Sequence, residues 1–241
     1  MKNLIDGFLI ADKPQGWTSH DVCAFVRKRF NIKKVGHAGT LDPIATGVLV
    51  LLLGRATKQS IPLSSCEKEY RGIMELGVKT DSHDRSGKVL GEAPWESVTL
   101  DDVREKALHF TGEIVQVPPM VSALKHKGVR LYKLARQGKE VHREGRNITV
   151  REFNVEKKEG AKVYFSTSVS KGTYVRTLVH DLGGALGCFA TLASLERVRS
   201  GTFYLNDSLK IEAMKKMGVD DIRHHVIPLH LSPVYSFSLE S

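Results

Sequence analysis

The 241-residue chain has only three cysteines, Cys23, Cys66 and Cys188, and no C-x-x-C pair among them. An odd, scattered set excludes a disulfide framework and a zinc knuckle and suits the reducing cytosol. Long apolar runs are missing too. The longest, 48–53, has six residues, far short of the ~20 that a spanning helix needs, and the N-terminus lacks a signal-peptide core. A soluble, cytoplasmic protein without a membrane partner is expected. No Gly-x4-Gly-Lys-Ser/Thr, no G-x-G-x-x-G and no serine nucleophile elbow occurs, which excludes three common catalytic frames. The acids of 80–87 lack calcium-loop spacing. His224, His225 and His230 have no acids at ligand spacing, and His180-Asp181 reads as a structural pair on a helix. Neither metal nor cofactor is expected. Without repeats, low-complexity tracts or linkers, 1–241 reads as a single domain.

Positive charge is in excess. Thirty-six Lys and Arg against 27 Asp and Glu give +9, pointing to an anionic partner. Nine basic residues lie in 125–151 against Glu140 and Glu144, so this window carries seven of the nine net charges. At 100° per residue, Arg130, Lys133 and Arg136 share one side of a helix, while Leu131, Leu134 and Ala135 share the other. Packed by its leucines, such a helix presents three cations to a polyanion or, on the plainer reading, to water.

Periodicity and punctuation give the elements. A strand is expected at 8–11 and a helix capped by Thr18 and Asp21, with Val22, Phe25, Val26 and Phe30 on its apolar face. The run 48–53, closed by Gly54, reads as a strand buried on both faces. A short helix over 55–63, an alternating strand over 68–80 and a helix capped by Thr99 and Asp102 come next. Residues 148–155 and 162–169 read as a hairpin. A helix capped by Thr173 is expected to stop at Gly183-Gly184. The last helix begins at Asn206 or Asp207 and carries Leu209, Met214 and Met217, and a polar tail succeeds Gly218.

One acid stands out. Asp42 precedes Pro43 on a loop with glycines at 36, 39 and 47, just ahead of the buried strand. Such a loop suits a carboxylate that must meet a bulky substrate; taken alone, the stretch favours the plainer reading, an Asp that only caps the turn before Pro43. His37, Tyr70 and Tyr174 are rings able to hold a base, and Arg176 lies two residues past Tyr174.

These residues fall in ordered blocks: Lys13-Pro14-x-Gly16-x-Thr18-Ser19, Gly36-His37-x-Gly39-Thr40-Leu41-Asp42-Pro43-x-Ala45-x-Gly47, Lys68-x-Tyr70, Leu76-Gly77, Thr80-Asp81, Pro118-Pro119-x-x-Ser122-Ala123-Leu124-Lys125 and Ser170-Lys171-Gly172-Thr173-Tyr174-x-Arg176-Thr177. From Phe8 to about Phe203 this order resembles the TruB family of bacterial tRNA pseudouridine synthases. The resemblance implies an α+β pseudouridine synthase fold, a mixed and largely antiparallel sheet with flanking helices and inserted loops, the basic insert being 122–151. It implies isomerisation of uridine 55 in the T-arm of tRNA after the base is flipped out, with tRNA as partner, no protein partner and no cofactor. By the same likeness Asp42 is the catalytic carboxylate, attacking ribose, attacking base or abstracting a proton. Arg176 is its ion-pair partner, Tyr70 stacks on the target base and His37 fills the space the base leaves. Tyr174 and Leu195 line the uracil pocket. Lys13, Arg130, Lys133 and Arg136 are further candidate substrate contacts. Two features depart from many relatives: Glu196 stands where Arg is frequent, and no C-terminal PUA domain is expected. A tRNA-binding or folding protein on the same scaffold, without catalysis, and a guide-RNA-dependent synthase are the rival readings.

Overall fold

In the computed structural model, which describes residues 4–231, strand β1 (Gly7–Lys13) leads to helix α1 (Ser19–Arg29). The expected capping box opens α1: Thr18 Oγ1 accepts from the Asp21 N–H at 3.1 Å, and the Asp21 carboxylate accepts from the Thr18 N–H at 2.8 Å. Strands β2 (Val35–Ala38) and β3 (Ala45–Leu53) come next, then a 3-10 turn (Gly54–Gln59) and α2 (Ser60–Ser64) over the expected short helix. Strand β4 (Lys68–Leu76) alternates as expected but ends before Thr80. Gly77, at φ +90, turns the chain, and a Cβ there would lie 2.5 Å from Trp95. Val78–Thr80 is a separate strand, β5, paired with β6 (Val89–Glu92). A second capping box, Thr99 with Asp102, opens α3 (Leu100–Leu108), which leads to β7 (Gly112–Gln116). The basic segment holds a small hairpin, β8 (Lys125–His126) and β9 (Val129–Arg130), and a single helical turn, α4 (Leu131–Ala135). The expected hairpin is β10 (Arg146–Glu159) with β11 (Lys162–Val169). Helix α5 (Val175–Ala185), β12 (Ala190–Ser200), β13 (Phe203–Tyr204), β14 (Leu209–Lys210), α6 (Ile211–Lys216) and α7 (Val219–His224) complete the order. The fold is α+β, its strands largely antiparallel, with parallel pairing of β1 with β14 and of β3 with β12.

Four expectations give way in the last third of the chain. Tyr174, not Thr173, is the N-cap of α5, and no side chain caps it. Gly183 lies within α5 rather than ending it, because the backbone of β12 packs there: a Cβ at 183 would sit 2.1 Å from the Ala190 nitrogen. Leu209 belongs to a strand rather than a helix, since Leu209 and Lys210 pair with Ala11 and Asp12. Past Gly218, α7 buries Ile222 where a polar tail was expected; the Ser-bearing end of that tail lies outside the described residues.

The chain divides into two compact units, 1–70 with 195–241 and 71–194. In the first, the order is β14-β1-β3-β12, with β2 also on β3 and β13 on β12. Alternation sends Leu9, Ala11, Leu49, Leu51 and Leu53 to one face, against Val22 and Val26 of α1, Phe30 at its C-cap, Ile211 and Met214 of α6 and Ile222 of α7. Phe8, Ile10, Val48, Val50 and Leu52 face the other way, onto Ala56, Leu63 and Phe203. The six-residue apolar run is thus buried on both faces, as its composition predicts. In the second unit the order is β4-β11-β10-β7. Gly72 is small because the Phe165 ring lies over it, 2.4 Å from where a Cβ would be, and Phe165 meets Phe153 edge-on at 5.4 Å. Arg104 ties α3 to β10 through the Val155 and Glu156 carbonyls, both at 3.2 Å.

Candidate active site

The Asp42 loop owes its shape to how β3 shares its edge. β1 lines one edge of β3 from Leu53 to Gly47. On the other edge β2 pairs only with 50–53, and β12 pairs in parallel with 45–47. The chain passing from β2 to β3 must therefore arch past residues 195–197 of β12, and residues 39–44 are that arch. The Ala45 N–H donates to the Asp42 carbonyl at 3.0 Å, which makes Asp42 the first residue of a turn with Pro43 in the second place. The plain reading of Asp42 is right for its backbone. Its carboxylate is left half-buried on a loop fixed from several sides. The Gly16 N–H donates to the Pro43 carbonyl at 2.8 Å. Ser19 Oγ accepts from the Leu41 N–H at 2.8 Å and donates to the Leu41 carbonyl at 3.2 Å. Arg197, 1% exposed, donates Nη2 to the Gly39 carbonyl at 3.1 Å and Nε to the Val48 carbonyl at 2.7 Å. Gly47, at φ +95, lets β12 approach: a Cβ there would stand 2.3 Å from the Arg197 carbonyl oxygen.

Buried cations surround this arch. Lys13 is fully buried, and its ammonium donates to the Pro14 carbonyl at 2.9 Å and the Trp17 carbonyl at 2.7 Å. Burial drives its pKa down to about 8, against the pull of the Asp42 carboxylate, while Arg197 adds to the fall. With these two contacts made to backbone, Lys13 shapes the loop and its field. Lys68, also buried, donates to the Ser64 carbonyl at 2.6 Å. His37, on β2, is held neutral: burial, then Arg197 and His20, lower its pKa. Its Nδ1 is buried without a hydrogen-bond partner among the described residues, which leaves the ring able to receive one from a ligand. Leu195, half-buried, pairs with Ala45 beside the arch, and Tyr70, 7% exposed, lies on β4.

The second unit holds the other candidates. Tyr174 and Arg176 stand at the start of α5. The Gln116 side chain grips the Tyr174 peptide from both sides, its Oε1 accepting from the Tyr174 N–H at 2.8 Å and its Nε2 donating to the Tyr174 carbonyl at 3.1 Å. Arg176 is 3% exposed; Nη1 donates to the Ser82 carbonyl at 2.9 Å and Nη2 to the Val121 carbonyl at 2.5 Å, with the guanidinium carbon 5.5 Å from the Tyr174 ring centre. The polar turn 80–87 supplies that Ser82 carbonyl. Its Asp84 carboxylate is used in building the turn, accepting from Ser82 Oγ at 2.8 Å and the Ser86 N–H at 2.9 Å. In the basic segment the charge-outward arrangement stands on one turn rather than a long helix: Leu131 is buried, and Arg130, Lys133 and Arg136 are exposed.

Asp42, Lys13, His37 and Leu195 thus meet around one loop of the first unit, and Tyr70 belongs to the same unit. Tyr174 and Arg176 share one helix start in the second unit, whose basic segment carries Arg130, Lys133 and Arg136. Arg197, Ser19 and Gln116 do the holding, and sequence reasoning gave none of them that role. Ser19 lies inside a quoted motif, next to the capping Thr18; Arg197 and Gln116 look in sequence like any surface polar residue.

A family model described as TruB family pseudouridylate synthase (N terminal domain) matches residues 27–175, and one described as tRNA pseudouridylate synthase B C-terminal domain matches 176–234. The tRNA pseudouridine synthase B of Opitutus terrae is 46% identical over 226 residues, covering 94% of each chain. That of Geotalea uraniireducens is 50% identical over 208 residues, 86% of this chain and 67% of the relative. Among solved structures, a chain of a Cbf5-Nop10-Gar1 complex matches with a TM-score of 0.66 and 34% identity over 86% of this chain. One from the archaeal box H/ACA sRNP Nop10-Cbf5 complex matches with a TM-score of 0.68 and 29% identity over 92%. This chain spans 52% and 59% of the lengths of those two solved chains.

Proposed function

The chain belongs to the TruB family of pseudouridylate synthases, and from that membership and the Asp42 loop we propose that it isomerises uridine to pseudouridine in the T-arm of tRNA, at position 55, in the cytoplasm. The observation that carries the reading is the arch itself. The backbone on either side of the half-buried Asp42 is fixed by Ser19 at Leu41, Gly16 at Pro43 and Arg197 at Gly39, with the Lys13 ammonium in the field of the carboxylate. Among the described residues no helix is long and apolar enough to cross a membrane.

The reaction breaks the bond from ribose C1′ to uracil N1 and joins C1′ to C5; C5 gives up its proton to water and N1 takes one up, so the product is an isomer of the substrate. A uracil in a folded loop must first leave its stack, at a cost of a few kcal/mol. Stacking on one aromatic ring returns ~1–3 kcal/mol; Tyr70 is proposed for that ring. His37, neutral and with Nδ1 open, is proposed to occupy the place the base vacates, and Tyr174 and Leu195 to line the uracil. Asp42 is proposed as the catalytic carboxylate, attacking ribose, attacking base or taking a proton. Arg176 is proposed as the guanidinium that aims it, and Arg130, Lys133 and Arg136 as phosphate contacts, Lys13 serving the loop.

Tritium release from tRNA carrying 5-tritiated uridine tests the reading. The purified chain is expected to release tritium from the T-arm site and from a bare T-arm stem-loop, and to release none from that site when its uridine is replaced by cytidine. No release from either RNA, with or without an added guide RNA, would support a binding or folding role on this scaffold. Release that appears only when a guide RNA is added would support a guide-dependent enzyme.

A further inference from the structure

His83 sits in the 80–87 turn at φ +65, a left-handed conformation that residues other than glycine seldom adopt. Three contacts hold it there. Its ring lies parallel to that of His180, centroids 3.8 Å apart and planes at 0°. Its Nδ1 is 3.3 Å from Thr177 Oγ1, and its carbonyl accepts from the Leu192 N–H at 3.1 Å. Thr177 and His180 are three residues apart on α5 and so share a face. The residue before His83 supplies the carbonyl that takes Arg176 Nη1, and Arg176 is the residue before Thr177. Turn and helix are therefore tied three times, through the guanidinium, through the Thr177 hydroxyl and through the stacked rings.

We infer that His83 and His180 are positioning residues for Arg176: their stack clamps the turn onto α5 and holds the Ser82 carbonyl against the guanidinium. The inference rests on the reading of Arg176 as the group that aims the catalytic carboxylate. Two imidazoles stack face to face in this way as neutral rings, and their surroundings favour that form. His83 faces His180 and Arg176 from α5, Arg143 from the basic segment and Lys79 from β5. Burial first, then these groups, push its pKa down to about 3. Burial and Lys79 likewise lower that of His180.

The test is steady-state tritium release with tRNA, separating kcat from KM. His180→Ala is expected to lower kcat about tenfold with KM within about twofold. His180→Phe, which restores a flat ring for His83 to lie on, is expected to recover most of kcat. His83→Asn, whose amide tolerates the left-handed backbone and reaches Thr177, should fall between His83→Ala and the unaltered enzyme. The double alanine variant should be no worse than the poorer single one, because both changes break one clamp. Should His83→Ala fail to fold by circular dichroism, the half-exposed His180 position carries the test alone. Unchanged kcat in His180→Ala, or equal losses in His180→Ala and His180→Phe, would overturn the inference. Arg176→Ala separates the two levels. Full activity in that variant defeats the Arg176 reading itself, whereas an inactive Arg176→Ala beside fully active histidine variants defeats only the clamp.

Discussion

Gly47 shows how much of the site depends on one missing methyl group. Its φ of +95 and the 2.3 Å that would separate a Cβ from the Arg197 carbonyl oxygen leave no backbone solution for a larger residue. Gly47→Ala should therefore lower stability by about 2–4 kcal/mol, read as a lower urea midpoint, and loosen the pairing that seats the arch. Lys13 is a second residue with a measurable signature. Its folded pKa of about 8 lies below its ordinary 10.5, so between those values the unfolded chain binds more protons than the folded one. Stability then rises with pH across that window, by about 2–3 kcal/mol for this group alone. Urea unfolding at pH 8 and pH 10.5 should show that rise in the unaltered chain and its loss in Lys13→Met. At this scale the sequence was partly legible. Asp42, flanked by glycine and proline, announced a special loop. Arg197 did not, because a buried arginine spent on backbone carbonyls has no spacing to betray it. His83 looked like an ordinary turn residue, since a stack depends on where α5 lies.

Among the elements, those with local causes were legible and those with distant causes were not. The capping boxes at Thr18 and Thr99 and the 148–169 hairpin arise from neighbours in sequence, and the structure has them. The 68–80 strand breaks at Gly77 because Trp95 packs against that glycine and β6 pairs with residues 78–80. The Gly183 helix stop fails because β12 needs a surface without side chains. The basic segment lies between these cases: its outward charge was readable, but its helix is only one turn. If Arg130, Lys133 and Arg136 touch phosphate, changing all three to Gln should weaken tRNA binding and flatten the slope of log K against log salt by roughly 2–3. A filter-binding series from about 50 to 200 mM salt reads this directly; an unchanged slope would leave these residues as a solvated face.

For the whole molecule, the +9 charge pointed to an anionic partner and the ordered motif blocks to the family, and the comparisons bear out that family. Neither composition nor motif told how β12 would be inserted beside β3, and that insertion is what raises the carboxylate on its arch. The proposed activity needs that acid for chemistry and assigns RNA binding to the basic segment and the rings. The most direct measurement is tritium release from 5-tritiated tRNA by Asp42→Ala beside the unaltered chain, with tRNA binding tracked in parallel. The expected result is release by the unaltered chain, none by the variant, and binding by both within a few-fold. Release by Asp42→Ala at the unaltered rate would contradict the assignment of the chemistry to Asp42.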